Sequence, residues 1–110
     1  MDYSKLANNY FQAFARKDID VLARMFHPGV VVTDWEHHVQ GRDAVLALDR
    51  GVFESFEEIK VNLLHLHEAG STVVGELEIL LNRGALRLKV VDVITFDETG
   101  VIRSIRAYKG

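Results

Sequence analysis

The second half of the chain alternates apolar and polar residues, and this pattern constrains the fold more than any other feature of the sequence. Successive side chains of a β-strand point to opposite faces of a sheet, so a period of two predicts strands with one apolar face. Short turns rich in glycine and polar residues, such as Glu68–Ser71 and Asn82–Gly84, separate the alternating runs. The predicted strands cover residues 59–67, 72–81, 86–96 and 101–108. Together they predict a meander of antiparallel strands.

The first half of the chain instead repeats its apolar residues at helical spacing. Apolar residues recur every three or four positions between Leu6 and Phe14, which predicts a helix over about residues 3–16. Asp18 is suited to cap a second, short helix that runs to about Phe26. The following His27-Pro28-Gly29 is expected to stop that helix.

A β-branched run over residues 30–33 predicts one early strand, which ends near Asp34. Gly41-Arg42-Asp43 then opens a third helix that carries Val45, Leu48, Val52 and Phe53. Helices therefore concentrate in the first half of the chain and strands in the second. This segregation predicts an α+β fold in which the helices pack on one face of a mostly antiparallel, curved sheet.

The composition is that of one globular domain spanning residues 1–110. Hydrophobic residues make up 48% and charged residues 26%, a balance that disordered and membrane chains do not have. The net charge of −3 argues against a nucleic-acid partner, because phosphate-binding surfaces are basic. The absence of cysteine excludes disulfides and thiolate metal sites. No apolar run has the length of a signal peptide or membrane span, so we expect no membrane partner and a cytoplasmic location.

An acid interrupts the apolar face of the predicted strand at residues 86–96. Asp92 has the same parity as Val90 and Ile94, so all three side chains should point to the same side of the sheet. A carboxyl group on a buried apolar face must find partners or keep its proton, since burying the ionised form is costly. Asp92 is therefore a candidate functional residue. The alternative is a structural acid paired with one of the nearby arginines, Arg83, Arg87, Arg103 or Arg106.

Two further polar residues occupy positions that suggest chemistry. Tyr10 lies on the apolar stripe of the first predicted helix, so its hydroxyl needs a partner, which Asp92 could supply. Asp34 follows the first predicted strand and precedes the polar segment 35–38, where polar neighbours and water can keep a carboxylate charged. Each residue also has an ordinary structural explanation. Tyr10 could be a core tyrosine, and Asp34 could cap a turn.

The order of the elements and a series of short motifs carry a resemblance that spans nearly the whole chain. The motifs are Tyr10-Phe11-Gln12-Ala13-Phe14, Phe26-His27-Pro28, Val32-Thr33-Asp34, Gly41-Arg42-Asp43-Ala44-Val45 and Val91-Asp92-Val93-Ile94-Thr95-Phe96-Asp97. In this order they resemble the nuclear transport factor 2-like (NTF2-like) superfamily, and within it the ketosteroid isomerase and polyketide-cyclase-like (SnoaL-like) branch. The resemblance implies a cone-shaped α+β barrel of the cystatin-like kind, with three helices on the concave side of the sheet.

The same resemblance implies an isomerase site. In ketosteroid isomerases a tyrosine on the first helix, an aspartate after the first strand and an aspartate on a late strand carry the reaction, and Tyr10, Asp34 and Asp92 occupy the matching positions. Asp34 would be the general base, while Tyr10 and a protonated Asp92 would donate hydrogen bonds to an enolate oxygen. The implied substrate is a compact hydrophobic ketone, without a cofactor or metal, in a homodimer formed through the outer sheet face. The expected apolar lining is Trp35, Leu77, Ile79, Val90 and Ile94.

Other functions of the same fold stay open from the sequence. One is a non-catalytic module for ligand binding or assembly, and another is a polyketide cyclase or dehydratase. A metal site could include His65 and His67, which share one face of a predicted strand; a solvated face is the alternative explanation. Further ligands for it would come from His37, His38, Glu76 or Glu78. An epoxide hydrolase would need an arginine between two aspartates, but Arg87 has the wrong parity to face Asp92.

Overall fold

The computed structural model describes all 110 residues and contains three helices and six strands. The helices are α1 (Tyr3–Ala15), α2 (Ile19–Met25) and α3 (Arg42–Ser55). The strands are β1 (Phe26–Thr33), β2 (His38–Gln40), β3 (Ile59–Ala69), β4 (Thr72–Leu81), β5 (Leu86–Phe96) and β6 (Ile102–Lys109). The α+β class predicted from the sequence is confirmed. None of the helices is long and apolar enough to cross a membrane.

All six strands form one sheet in the order β2-β1-β6-β5-β4-β3. Every neighbouring pair is antiparallel except β1 and β6, which run parallel. A parallel pair needs a long connection, and here α3 and the whole meander separate the two strands. The mostly antiparallel sheet expected from the alternating pattern is thus present. The hydrophobic core lies between one face of this sheet and the three helices.

The helices are positioned by caps and by their apolar stripes. Asp18 caps α2 by accepting a hydrogen bond from the backbone N–H of Val21 at 3.2 Å, as the sequence predicts. The stripe of α1 buries Tyr10 and Phe11 against the sheet. The stripe of α3 buries Val45, Leu46, Asp49 and Phe53. One tyrosine and one acid from the helical layer therefore point into the interior.

The structure differs from the sequence prediction around the first strand. The predicted stop at His27-Pro28-Gly29 does end the helix, but these residues lie within β1, which begins directly at Phe26. Proline is tolerated there because the pairing of β1 with β6 shifts register between Phe26 and Val31, so the ladder is already irregular. Strand β2 is absent from the prediction, since three residues are too few to show an alternating pattern.

Candidate active site

Small residues lie on both sides of Asp92 in the sheet. Asp92 pairs with Gly75 on β4 and with Ala107 on β6. A Cβ atom on Gly75 would lie 3.0 Å from the ring of Phe11, so glycine also lets α1 approach the sheet closely. The Phe11 ring thus covers Gly75, while Ala107, whose side chain is only a methyl group, leaves space open on the other side of Asp92. A cavity between the sheet and the helices results.

The cavity has a volume of about 150 Å³, and most of its lining is hydrophobic. An apolar cavity of about this size is large enough to bind benzene. The titratable groups in its lining come from α1, α3, β5 and the loop after β1, and no lysine or arginine is among them. They are Tyr10, Asp34, His37, Asp49 and Asp92. The site is therefore an apolar chamber that carries acidic and hydrogen-bonding groups.

The structure brings together most of the residues singled out from the sequence. Tyr10, Asp34 and Asp92 line the same cavity, and so do the predicted apolar residues Trp35, Leu77, Ile79 and Val90. Ile94 is not part of this lining, although the sequence predicts it there; it is fully buried in the core.

The cross-strand neighbours explain the position of Ile94. Ile94 lies between the branched side chains of Val73 on β4 and Ile105 on β6, whereas Asp92 lies between a glycine and an alanine. The predicted direction of the Ile94 side chain is therefore correct, because it lies on the same inner face of β5 as Asp92. The packing around Ile94 is denser than the packing around Asp92, and the alternation of side chains along one strand carries no information about packing by other strands.

Asp92 is buried without any compensating partner. Its residue is 9% exposed, and the neighbouring positions of the same parity on β5 are buried as well, which confirms the apolar face predicted for this strand. The ion pair considered from the sequence does not form; Arg87, for example, points to Glu78 at 3.6 Å on the outer face. Burial raises the pKa of the Asp92 carboxyl to about 7. The group is therefore neutral below that pH and can act as a hydrogen-bond donor.

Tyr10 contributes a hydroxyl to the same chamber. The residue is 7% exposed, and its ring packs against the rings of Phe11, Phe14 and Phe26 with centroids 5.7, 6.2 and 6.1 Å away. Burial raises the pKa of the phenol, and negative charge on Asp49 or Asp92, which line the same cavity, raises it further. Contrary to expectation, Tyr10 and Asp92 form no hydrogen bond with each other. Both keep their donor capacity for a ligand.

Asp34 is held at the mouth of the cavity by a tight turn. Its Oδ1 accepts hydrogen bonds from the backbone N–H of Glu36 at 2.8 Å and of His37 at 2.7 Å. The Nδ1 atom of His37 lies 3.1 Å from Oδ1 and 3.2 Å from Oδ2. Asp34 thus caps the turn between β1 and β2 and lines the cavity as well. Its donors interact best with an ionised carboxylate, whereas Asp92 has none.

Two titratable residues in the lining were not assigned to this site from the sequence. Asp49 is 8% exposed, burial raises its pKa to about 7, and its Oδ2 atom has no hydrogen-bond partner. The signal for it was present: Asp49 lies four residues after Val45 and four before Phe53, which places it on the apolar stripe of α3. The sequence suggests His37 only as a possible metal ligand or as a polar neighbour of Asp34.

The histidines on β3 lie outside the cavity. His65 and His67 are exposed, with ring centroids 6.4 Å apart, and the Nε2 atom of His65 is 4.0 Å from Glu76. The side chains considered for a metal site stay dispersed, and no three histidine, aspartate or glutamate residues come together as metal ligands. His65 and His67 therefore belong to the solvent-exposed outer surface of the sheet.

The two buried acids predict an unusual dependence of stability on pH. Asp49 and Asp92 have a pKa of about 7 in the folded protein and an ordinary value near 3.8 when unfolded, so the folded state binds more protons between these limits. The free energy of unfolding should therefore fall as pH rises from about 4 to 7 and level off above, by on the order of 4 kcal/mol for each acid.

Urea denaturation followed by circular dichroism at pH 5 and pH 8 measures this effect. The double variant Asp49→Asn, Asp92→Asn should lose most of the difference between the two pH values. Asp43→Asn, an exposed position on the same helix as Asp49, should keep it. Equal stability of the unchanged protein at both pH values would contradict the assignment of two buried neutral acids.

Comparison with known proteins identifies the family. A family model described as the SnoaL-like domain matches residues 7–105. No curated protein matches the chain. Among solved structures, a proposed SnoaL-like polyketide cyclase from Shewanella denitrificans has a TM-score of 0.88 at 18% identity, covering 98% of this chain and 90% of that one. A proposed ketosteroid isomerase from Kribbella flavida has a TM-score of 0.86 at 15% identity, covering 98% and 77%.

A third structure, an NTF2-like protein of unknown function from Cytophaga hutchinsonii, has a TM-score of 0.83 at 14% identity over 100% of this chain and 91% of that one. At such identities the structural similarity establishes a shared fold, and a shared fold hosts many activities. The family model spans almost the whole chain. The protein therefore belongs to the SnoaL-like family and has the NTF2-like fold.

Proposed function

We propose that this protein is an isomerase-like enzyme that moves a proton next to the carbonyl group of a compact hydrophobic ketone, through an enolate. One observation carries the proposal: the same apolar cavity holds two carboxyl groups in opposite surroundings. Asp92 is buried without a donor, whereas Asp34 accepts two backbone N–H hydrogen bonds at the cavity mouth. Such a pair separates a proton donor from a base at neutral pH.

Each residue then has a definite role. In a β,γ-unsaturated ketone, Asp34 removes the proton from the carbon next to the carbonyl group and returns it two carbons along, while the double bond moves into conjugation with the carbonyl group. Its Oδ2 is the better placed oxygen, because Oδ1 already accepts from the N–H groups of Glu36 and His37. Tyr10 and neutral Asp92 donate hydrogen bonds to the oxygen on which negative charge develops. Donors held in place within an apolar site stabilise such charge better than water does.

The dimensions of the cavity favour a small substrate. Its volume of about 150 Å³ is below the roughly 300–1,000 Å³ of sites that enclose drug-sized ligands. A ring of six atoms would fill it, whereas a steroid would extend well beyond it. Trp35 and His37 are exposed members of the lining, so they mark the opening through which a ligand enters.

Epoxide hydrolysis with an arginine between two aspartates has less support. No arginine lines the cavity, and Arg87 pairs with Glu78 on the opposite face of the sheet. A ligand-binding module without turnover would use the same apolar chamber, and the experiment below separates it from an enzyme.

The proposal is tested by deuterium exchange of the protons next to the carbonyl group of cyclohexanone, followed by proton NMR in D₂O. We expect exchange above the buffer rate, proportional to protein concentration and inhibited by 4-nitrophenol, whose oxygen resembles an enolate oxygen. Binding of 4-nitrophenol without any exchange would identify a binding module instead. If the protein neither binds 4-nitrophenol nor accelerates exchange, a ketone site in this cavity is refuted.

A substitution that fills the cavity should weaken binding and spare the fold. Ala107 lines the cavity directly beside Asp92, so the longer side chain of Ala107→Leu would occupy the space of a ligand. We expect the affinity for 4-nitrophenol, read from quenching of Trp35 fluorescence, to fall by about 10-fold or more, since several contact atoms of the ligand are displaced. Ala47→Leu makes the same change on the exposed side of α3 and should leave binding intact. Unchanged affinity in Ala107→Leu would place the ligand elsewhere.

A further inference from the structure

The proposed reaction leaves one acid in the cavity without a role. Tyr10, Asp34 and Asp92 act on the carbonyl group and the neighbouring carbon. Asp49 lines the same chamber from α3 and takes no part in those steps. Its Oδ2 atom is buried and has no hydrogen-bond partner. A polar atom buried in this way destabilises the fold unless something else satisfies it.

No feature of the fold requires an acid at this position. Asp49 does not cap a helix and forms no ion pair, and the cavity lining contains no lysine or arginine. Its neighbours in the lining on α3 are the aliphatic residues Leu48 and Val52. A ligand oxygen in the cavity is the partner that would satisfy the carboxyl group.

Asp49 and Asp92 approach the chamber from different layers. Asp92 comes from the sheet and Asp49 from the helical layer, and charge on either raises the pKa of the Tyr10 hydroxyl. Because Tyr10, Asp49 and Asp92 all line one cavity of about 150 Å³, a ring that fills the cavity with its ketone oxygen between Tyr10 and Asp92 also contacts α3. Burial raises the pKa of Asp49 to about 7, so this group too carries a proton at and below neutral pH. The other titratable groups in the lining are Asp34 and His37, which form a hydrogen bond with each other.

We propose that Asp49 gives its proton to a second substrate oxygen, a hydroxyl on the β carbon, so that the site dehydrates compact β-hydroxy ketones. This inference rests on the proposed function and names the class of substrate. It explains why the chamber holds two buried acids where stabilisation of one enolate oxygen would use only one.

The step is a balanced elimination. Asp34 takes the proton from the α carbon, and Tyr10 with Asp92 stabilises the enolate that forms. The electron pair then makes a double bond between the α and β carbons while the bond from the β carbon to oxygen breaks. The departing oxygen takes the proton of Asp49 and leaves as water, and the product is an α,β-unsaturated ketone. Asp34 and Asp49 exchange their protons with solvent afterwards, and no oxidant or reductant is involved.

Two probes of similar size separate this inference from the proposed function. Cyclohexanone supports proton exchange alone, whereas 3-hydroxycyclohexanone can also lose water to give cyclohexenone, which is followed by its ultraviolet absorbance. We expect the unchanged protein to accelerate both reactions. Exchange of cyclohexanone without dehydration of the hydroxy ketone would overturn the inference and leave the proposed function standing.

The variant Asp49→Asn tests the residue itself. It keeps a hydrogen-bond donor but has no acidic proton, so dehydration should fall by about 100-fold or more, the usual contribution of a general acid, while exchange of cyclohexanone falls by less than about 10-fold. Asp43→Asn, exposed on the same helix, should leave both rates unchanged. Equal losses of both reactions in Asp49→Asn, or no loss of dehydration, would overturn the role of Asp49.

A binding measurement gives an answer even without turnover. Trp35 fluorescence should show that the protein binds 3-hydroxycyclohexanone more tightly than cyclohexanone, and Asp49→Leu should remove this preference while it retains binding of cyclohexanone. The same preference in the leucine variant would show that Asp49 does not contact the second oxygen.

Discussion

Replacing Asp34 with asparagine is expected to reduce the protein-catalysed exchange of cyclohexanone protons by about 100-fold to 10,000-fold, the usual contribution of a general base. The amide oxygen of asparagine can still accept the backbone hydrogen bonds from Glu36 and His37, so the turn after β1 should persist. The amide cannot take up a proton from carbon. The exchange rate by proton NMR and the circular dichroism spectrum measure the two expectations separately.

Asp97 offers a matched control for this change. It caps another turn in the same manner, with its Oδ1 accepting from the backbone N–H of Thr99 at 2.8 Å and of Val101 at 3.1 Å, but it lies outside the cavity. Asp97→Asn should therefore keep full exchange activity. Retained activity in Asp34→Asn would remove Asp34 as the base. His37→Gln then becomes decisive, because His37 is the other residue of the lining at this end of the cavity that could accept a proton.

The second large effect concerns Asp92. In Asp92→Ala the oxygen of the enolate loses one of its two donors, so exchange should fall by about 100-fold to 1,000-fold. Asp92→Asn retains an N–H donor of similar shape and should lose clearly less. Equal losses in the two variants would count against a hydrogen-bonding role, because the N–H donor that asparagine retains would then have no effect.

The pH dependence of the exchange reaction sharpens this test. Burial raises the pKa of Asp92 to about 7, and only the neutral form donates, so activity should decline as pH rises through about 7. Asp49 has a similarly raised pKa, and its ionisation beside Tyr10 would add to the decline. Asp92→Asn cannot ionise and should therefore show a shallower decline above pH 7. An identical pH profile for this variant would assign the decline to another group.

Local patterns in the sequence were sufficient for most of the fold. The period of two located the long strands of the meander, and helical spacing located all three helices, because these patterns depend on neighbours within one element. The errors fall where the local signal is weak or misleading. Strand β2 has three residues, and β1 takes in Pro28 through an irregular pairing with β6 that lies more than seventy positions away in the sequence.

In the candidate site, too, local patterns predicted some features, and others depended on the packing of distant segments. The parity of Asp92 on β5 and of Tyr10 on α1 pointed both side chains inward, and family resemblance added Asp34. Applied to α3, the same argument would have found Asp49, since four-residue steps link it to Val45 and Phe53. Ile94 could not have been placed correctly in this way, because its inward direction is right and only the filling of the space beside it differs.

What the sequence by itself determined is the direction of each side chain, together with the presence of acids on apolar faces. Direction follows from backbone periodicity, which is a local property. The tertiary structure decided where space remains: Ala107 comes from β6 to lie beside Asp92, Phe11 on α1 covers Gly75 on the other side, and α3 brings Asp49 into the same chamber. A cavity is the space that several distant segments fail to fill, so its position and its complete set of acids emerged only when those segments packed together.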